Sequence, residues 1–127
     1  MLYSILCYNS EALVGAWTKE KDAEVMAGHE AILGKLAAKG KLGPVARLMP
    51  TTTATTLREG REPVVVDGPF AETKEQLLGF YVVECETVDE AVEIARELGR
   101  ASSSNGGYEI RPLLVFRPGT LGDREAR

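Results

Sequence analysis

The four residues Asp67-Gly68-Pro69-Phe70 divide an apolar run from the strand that follows it. Val64, Val65 and Val66 form a continuous β-branched run, and Asp67-Gly68-Pro69 ends it. Proline has no N–H for a sheet ladder and restricts the residue before it to extended backbone, so a turn must follow. From position 80 the chain resumes as a strand in which Phe80, Val82 and Glu84 alternate with Tyr81, Val83 and Cys85. Both faces are apolar for most of its length, as in a strand at the centre of a sheet. Glu72, Lys74 and Glu75 are thereby held on a short connection at the entrance of that strand.

The remaining pattern supplies partners. Residues 2–9 read as a strand with Tyr3, Ile5 and Cys7 on one face and Leu2, Ser4, Leu6 and Tyr8 on the other. A connection through 9–17 leads to Thr18, placed as the N-cap of a helix reaching about position 39. Its apolar stripe is Met26, Ile32, Leu33 and Leu36, with Ala23, Val25 and Ala37 beside it, and Gly40 suits a left-handed C-cap. Residues 42–49 form a second strand whose Gly43-Pro44 predicts an edge or a bulge. Residues 51–58 and 62–66 flank a glycine turn and read as a hairpin. Thr87-Val88-Asp89-Glu90 is a capping box opening a second helix, with Val88, Ala91, Val92, Ala95 and Leu98 as its buried stripe and Gly99 closing it. A loop at 102–107, a last strand at 108–116 and a polar tail at 118–127 complete the chain. The order is βαββαβ with an inserted hairpin, an α+β plan in which right-handed crossovers place both helices on one side of the sheet. Strands apolar on both faces then leave a large apolar surface, and a second subunit is its economical cover, so a homodimer is expected.

At 127 residues, the segment 1–117 fits one domain with a core of its own. The net charge of -4, with acids and bases interspersed, provides no basic footprint for nucleic acid or an anionic membrane, and both are excluded as expected partners. The apolar N-terminus is nine residues long without a basic leader, and no run is long enough to span a bilayer, so a cytoplasmic location is expected. Cys7 and Cys85 are far apart, offering neither a CxxC pair nor a zinc set, and are expected as free thiols. With one histidine and scattered acids, no metal and no other cofactor is expected, and no nucleotide or hydrolase motif is present.

The stretch DGPFAETKEQLLGFYVVE, preceded by TATTLREG from Thr53 and PVVVDGPF and followed by EIRPLLVF from Glu109, resembles the DGPF-domain proteins of the YCII-related superfamily in the same order over residues 2–116. The resemblance implies a ferredoxin-like α+β fold pairing into a dimeric α/β barrel. It also implies an acid-base role for a histidine on the first helix, where His29 stands. The family's partner aspartate is absent from this helix end, LGKLAAKGK. His29 lies three residues after Met26 and four before Leu33, so it points inward. It is either a proton-transfer group or one satisfied polar residue in an apolar stripe. Asp67 replaces the missing acid if its turn folds toward the helix, and otherwise bonds its own backbone. Glu72 and Lys74 are candidates for a pocket wall. Tyr81 offers a hydroxyl on an apolar body, and Arg111 offers a fork for a carboxylate. Two functions stay open: a cofactor-independent isomerase or lyase acting on a small polar or aromatic molecule through His29, and a non-catalytic ligand-binding or regulatory accessory protein, since relatives are fused to or encoded beside extracytoplasmic-function sigma factors.

Overall fold

The computed structural model describes residues 1–124. Strand β1 (Leu2–Asn9) leads through a short helix α1 (Glu11–Gly15) into the long helix α2 (Lys19–Ala38). Then come β2 (Leu42–Arg47), a single 3-10 turn at Thr51–Thr53, and the strands β3 (Thr55–Arg58) and β4 (Val64–Asp67). Strand β5 (Gln76–Glu84), helix α3 (Val88–Ser102) and strand β6 (Gly107–Pro112) follow. The main sheet has the order β2-β5-β1-β6, and each neighbouring pair is antiparallel. With the β3–β4 hairpin set aside as its own two-stranded sheet, this is the ferredoxin-like arrangement expected from the element order.

Alternation along the strands decides where the core lies. Tyr3 and Ile5 of β1 and Tyr81 and Val83 of β5 face the helices, meeting Leu33 and Leu36 of α2 and Ala91, Ile94 and Leu98 of α3. Ile5, Val83 and Leu98 have no exposed surface. Each such side chain contributes about 1.5–3 kcal/mol through removal from water, so this one layer between sheet and helices carries the fold.

Helix ends follow their signals at α2. Thr18 Oγ1 accepts from the Lys21 N–H at 3.0 Å. At the other end Lys41 N–H reaches Leu36 O at 2.9 Å and Gly40 N–H reaches Ala37 O at 3.0 Å, with Gly40 at φ 68. That double closure needs a residue free to adopt left-handed backbone, which is why glycine stands there. Of the residues beside the stripe, Val25 is buried, and Ala23 and Ala37 are exposed.

Several boundaries differ from expectation for local reasons. The connection after β1 contains α1, capped by Ser10 Oγ accepting from Leu13 N–H and anchored where Glu11 accepts from Thr51 N–H at 2.7 Å. Five residues without an apolar period give no helical signal. Helix α3 runs past Gly99 to Ser102, and Ser103, at φ 52, makes the left-handed exit. Val88 is exposed, and Ile94 is buried in the stripe. Strand β6 stops at Pro112 rather than 116, because Leu113 N–H already bonds Leu2 O where β1 begins, and no partner strand remains. Leu114, Val115 and Phe116 are exposed. Strand β2 is an edge with a register shift between Leu42 and Val45, as Gly43-Pro44 predicts. Residues 118–124 of the polar tail have no regular structure, and 125–127 lie outside the described residues.

Gly28 and Gly34 on α2 test this packing in opposite directions. A Cβ at Gly28 would sit 3.0 Å from the Ala101 Cβ of α3, whereas one at Gly34 meets nothing within 4 Å. Gly28→Leu is expected to cost about 1–3 kcal/mol by overpacking the helix contact. Gly34→Ala is expected to gain about 0.5–1 kcal/mol from helix propensity. Equilibrium denaturant unfolding of both variants reads the two signs.

Candidate functional site

The site begins where α2 and α3 pack together through Gly28 and Ala101. The residue after Gly28, His29, bridges them. His29 Nε2 lies 3.1 Å from the Leu98 backbone oxygen. A carbonyl only accepts, so Nε2 carries the proton and donates it to Leu98 O. In the neutral ring Nδ1 is then an unprotonated acceptor, to which the Tyr81 hydroxyl donates at 3.4 Å, with the two rings perpendicular. The bond to Leu98 thus orients the ring and decides which nitrogen can act as a base.

Burial sets the charge states. His29 is 8% exposed, and loss of hydration pushes its pKa below the ordinary value, a shift the Leu98 carbonyl opposes and the Arg47 charge reinforces. Burial likewise pushes the Tyr81 phenol up to about 12. At neutral pH the pair is therefore an unprotonated imidazole beside an intact phenol.

The pair lines a cleft of about 230 Å³ between the sheet, the helices and the α1 segment. Its floor is a row across all four strands: Arg47 of β2, Gly79 of β5, Cys7 of β1 and Tyr108 of β6. The centre of that row has no side chain. The backbone of β2 comes so near Gly79 that a Cβ there would collide with Ala46 O, so only glycine fits. Val14, Trp17, Val25, Met26 and Leu33 make much of the wall apolar. One end is polar: Asn9 Nδ2 donates to Ser104 Oγ at 2.8 Å, Ser104 meets Ser102 at 3.1 Å, and Ser102 donates to Gly99 O at 3.0 Å. The Tyr108 hydroxyl lies beside Ser102 and the Cys7 thiol, and burial raises the pKa of both Tyr108 and Cys7. Cys7 is thus a protonated thiol with little nucleophilic character. It and Cys85 are free. The Arg47 guanidinium also lines the cleft, donating to Asp22 Oδ1 at 3.0 Å.

Of the residues singled out in the sequence, the structure brings His29 and Tyr81 together. Asp67, Glu72, Lys74 and Arg111 are exposed and are not among the residues lining this cleft. The turn after Asp67 explains its position. Gly68, at φ 106, donates its N–H to Ala54 O at 2.8 Å and accepts from Thr56 Oγ1 at 2.7 Å, which ties the turn to the hairpin rather than to α2. Arg111 pairs with Ser4 on the face of the sheet away from the helices. Arg47, Tyr108 and Ser102 were not anticipated. Alternation with Val45 puts Arg47 on the helix side of β2, but only the strand register shows what lies beside it. No group of three or more His, Cys, Asp or Glu residues able to hold a metal occurs among the described residues. No described helix is long and apolar enough to cross a membrane.

The YCII-related domain model matches residues 1–117. An uncharacterized protein of Rhizobium meliloti (strain 1021) is 56% identical over 122 residues, spanning 95% of this chain and 98% of that protein. Among solved structures, the 5-chloro-2-hydroxyhydroquinone dehydrochlorinase of Burkholderia phenoliruptrix AC1100, in complex with 2,5-dihydroxybenzoquinone, aligns over 89% of this chain and 93% of its own, with 16% identity and a TM-score of 0.49.

A histidine whose folded-state pKa lies below its ordinary value binds a proton more readily in the unfolded chain. Its contribution to stability is full above the ordinary value near 6.5 and is lost as pH falls through that value towards the folded-state one. Unfolding free energy measured from about pH 7.5 down to 5 is expected to fall, and the part due to His29 is expected to vanish in His29→Gln.

Proposed function

The chain belongs to the YCII-related family, and from that premise we propose that it is a cofactor-independent enzyme of the isomerase or lyase type, moving a proton on a small aromatic or polar molecule with His29 as the base. The observation that carries this reading is the fixed tautomer. The bond from Nε2 to Leu98 O leaves Nδ1 of the buried ring unprotonated at the wall of the cleft. A base kept neutral at physiological pH and aimed at a ligand is what proton abstraction requires.

In this mechanism Nδ1 takes a proton from a carbon next to a carbonyl, and the electron pair moves onto the carbonyl oxygen. The Tyr81 hydroxyl, intact because its pKa is raised and held to Nδ1 only by a long 3.4 Å contact, turns its hydrogen from Nδ1 to that developing oxyanion. The imidazolium stays oriented by Leu98 O. Returning the proton to another carbon completes an isomerisation; expelling a neighbouring leaving group completes an elimination. The size fits such a molecule, since an apolar cavity of about 150 Å³ already accommodates benzene. Asp67 and Glu72 have no part in this scheme; a backbone carbonyl does the orienting that a carboxylate performs elsewhere.

The assembly we propose is a homodimer. The side of the sheet away from the helices presents Leu2, Leu6 and Phe80, each half-buried, and Val65 and Phe70 of the hairpin region are 67% and 69% exposed. Sedimentation at micromolar concentration is expected to give twice the chain mass of 13.8 kDa, and a monomer would contradict the dimer.

The catalytic reading is tested by variants assayed against a panel of small cyclic ketones, enols and hydroxyaromatics. His29→Gln is expected to retain the native circular dichroism spectrum while losing turnover about 100-fold or more. Tyr81→Phe is expected to lower kcat more than KM, because its hydrogen bond strengthens only as charge develops. Activity is expected to rise with pH through a midpoint below 6.5 and then level off. Full activity in His29→Gln would refute the assignment.

A further inference from the structure

Among the described residues lining the cleft, Arg47 is the one cation, and the proton-transfer scheme gives it no task. Strand register places it at one end of the floor row, with Gly79 and Cys7 between it and Tyr108 at the other end. At the usual spacing of about 4.8 Å between strands, this row spans about 14 Å from β2 to β6. That is enough for a single ring with one substituent at each end. The two ends differ in kind: the Tyr108 end carries neutral hydroxyls, and the Arg47 end carries a permanent positive charge.

We propose that Arg47 is the specificity-determining residue of the cleft, selecting single-ring substrates that carry an anionic oxygen, above all a carboxylate, with the ring over Gly79 and a hydroxyl or carbonyl directed to Tyr108 and Ser102. This inference rests on reading the cleft as a small-molecule site and is independent of the step His29 performs. The guanidinium is weakly committed where it stands. Its bond to Asp22 is solvent-facing, with the two side chains 53% and 38% exposed, and its other contact is the Met26 thioether at 3.4 Å. Exposed pairs of this kind contribute little, so a ligand carboxylate can take Asp22's place and gain the two-pronged geometry that a guanidinium offers. Glu30, the one carboxylate among the described lining residues, is on the exposed side of α2 and does not bond Arg47. A neutral donor would hold a carbonyl as well as a carboxylate; a cation ranks the carboxylate first.

The test is a matched pair of ligands, 4-hydroxybenzoate and 4-hydroxybenzamide, titrated calorimetrically into the full chain at pH 7.5, with the fluorescence of Trp17, the one tryptophan and a cleft residue, as a second reading. The carboxylate is expected to bind about tenfold or more tightly than the amide. Arg47→Gln is expected to remove that preference, weakening 4-hydroxybenzoate about tenfold or more and the amide much less, and Arg47→Lys to keep part of it. Asp22→Asn, which removes the competing carboxylate, is expected to tighten 4-hydroxybenzoate a few-fold and leave the amide unmoved. Equal affinities in the native chain, a preference that survives Arg47→Gln, or no binding of either ligand would overturn the proposal. His29→Gln separates the two readings: a retained carboxylate preference without turnover supports both, and a retained preference with undiminished turnover leaves Arg47's role standing and removes that of His29.

Discussion

One hydrogen bond organises the interior of this chain: His29 Nε2–H to the carbonyl of Leu98. It ties the two helices beside the contact that Gly28 and Ala101 make possible. The polar end of a ring inside an apolar layer is thereby satisfied rather than left at a cost of about 1–3 kcal/mol. The same bond fixes the tautomer, so a contact that serves packing also produces a directed base. No carboxylate is needed for this, because a backbone acceptor cannot change its own protonation state and orients the ring at every pH.

Around that bond the fold builds a cleft whose two halves have different origins. The helix side is apolar and comes from the stripe of α2; the floor comes from strand register, where Gly79 leaves the row open between Arg47 and Cys7. Burial then acts on each titratable group in the direction its charged form dictates. The imidazole loses its proton more easily, and the two phenols and the thiol hold theirs. Thus the site rests at neutral pH as one base among several hydrogen-bond donors, with its one guanidinium beside solvent.

Much of the plan was legible in the residues. The spacing of Met26, His29 and Leu33 turns the histidine inward, and Thr18 and Gly40 mark the ends of its helix. The doubly apolar strand through Tyr81 occupies the centre of the sheet as its pattern requires. What remained hidden depends on backbone atoms and register. Leu98 contributes through its carbonyl, which no side-chain pattern advertises. Arg47 meets the cleft because β2 pairs with β5 after a bulge, and a one-residue difference in that register would point it to the other face. Asp67, by contrast, drew attention by its motif, while its turn is occupied in closing the hairpin through Gly68, Ala54 and Thr56.

The most direct test of the account is a long-range proton–nitrogen correlation spectrum of the single imidazole, followed through a pH titration. The structure predicts a neutral ring at pH 7 with hydrogen on Nε2 and a bare Nδ1, and a midpoint below the ordinary 6.5. A ring protonated on Nδ1 at neutral pH, or one titrating at or above 6.5, would contradict the fixed base on which the site is built.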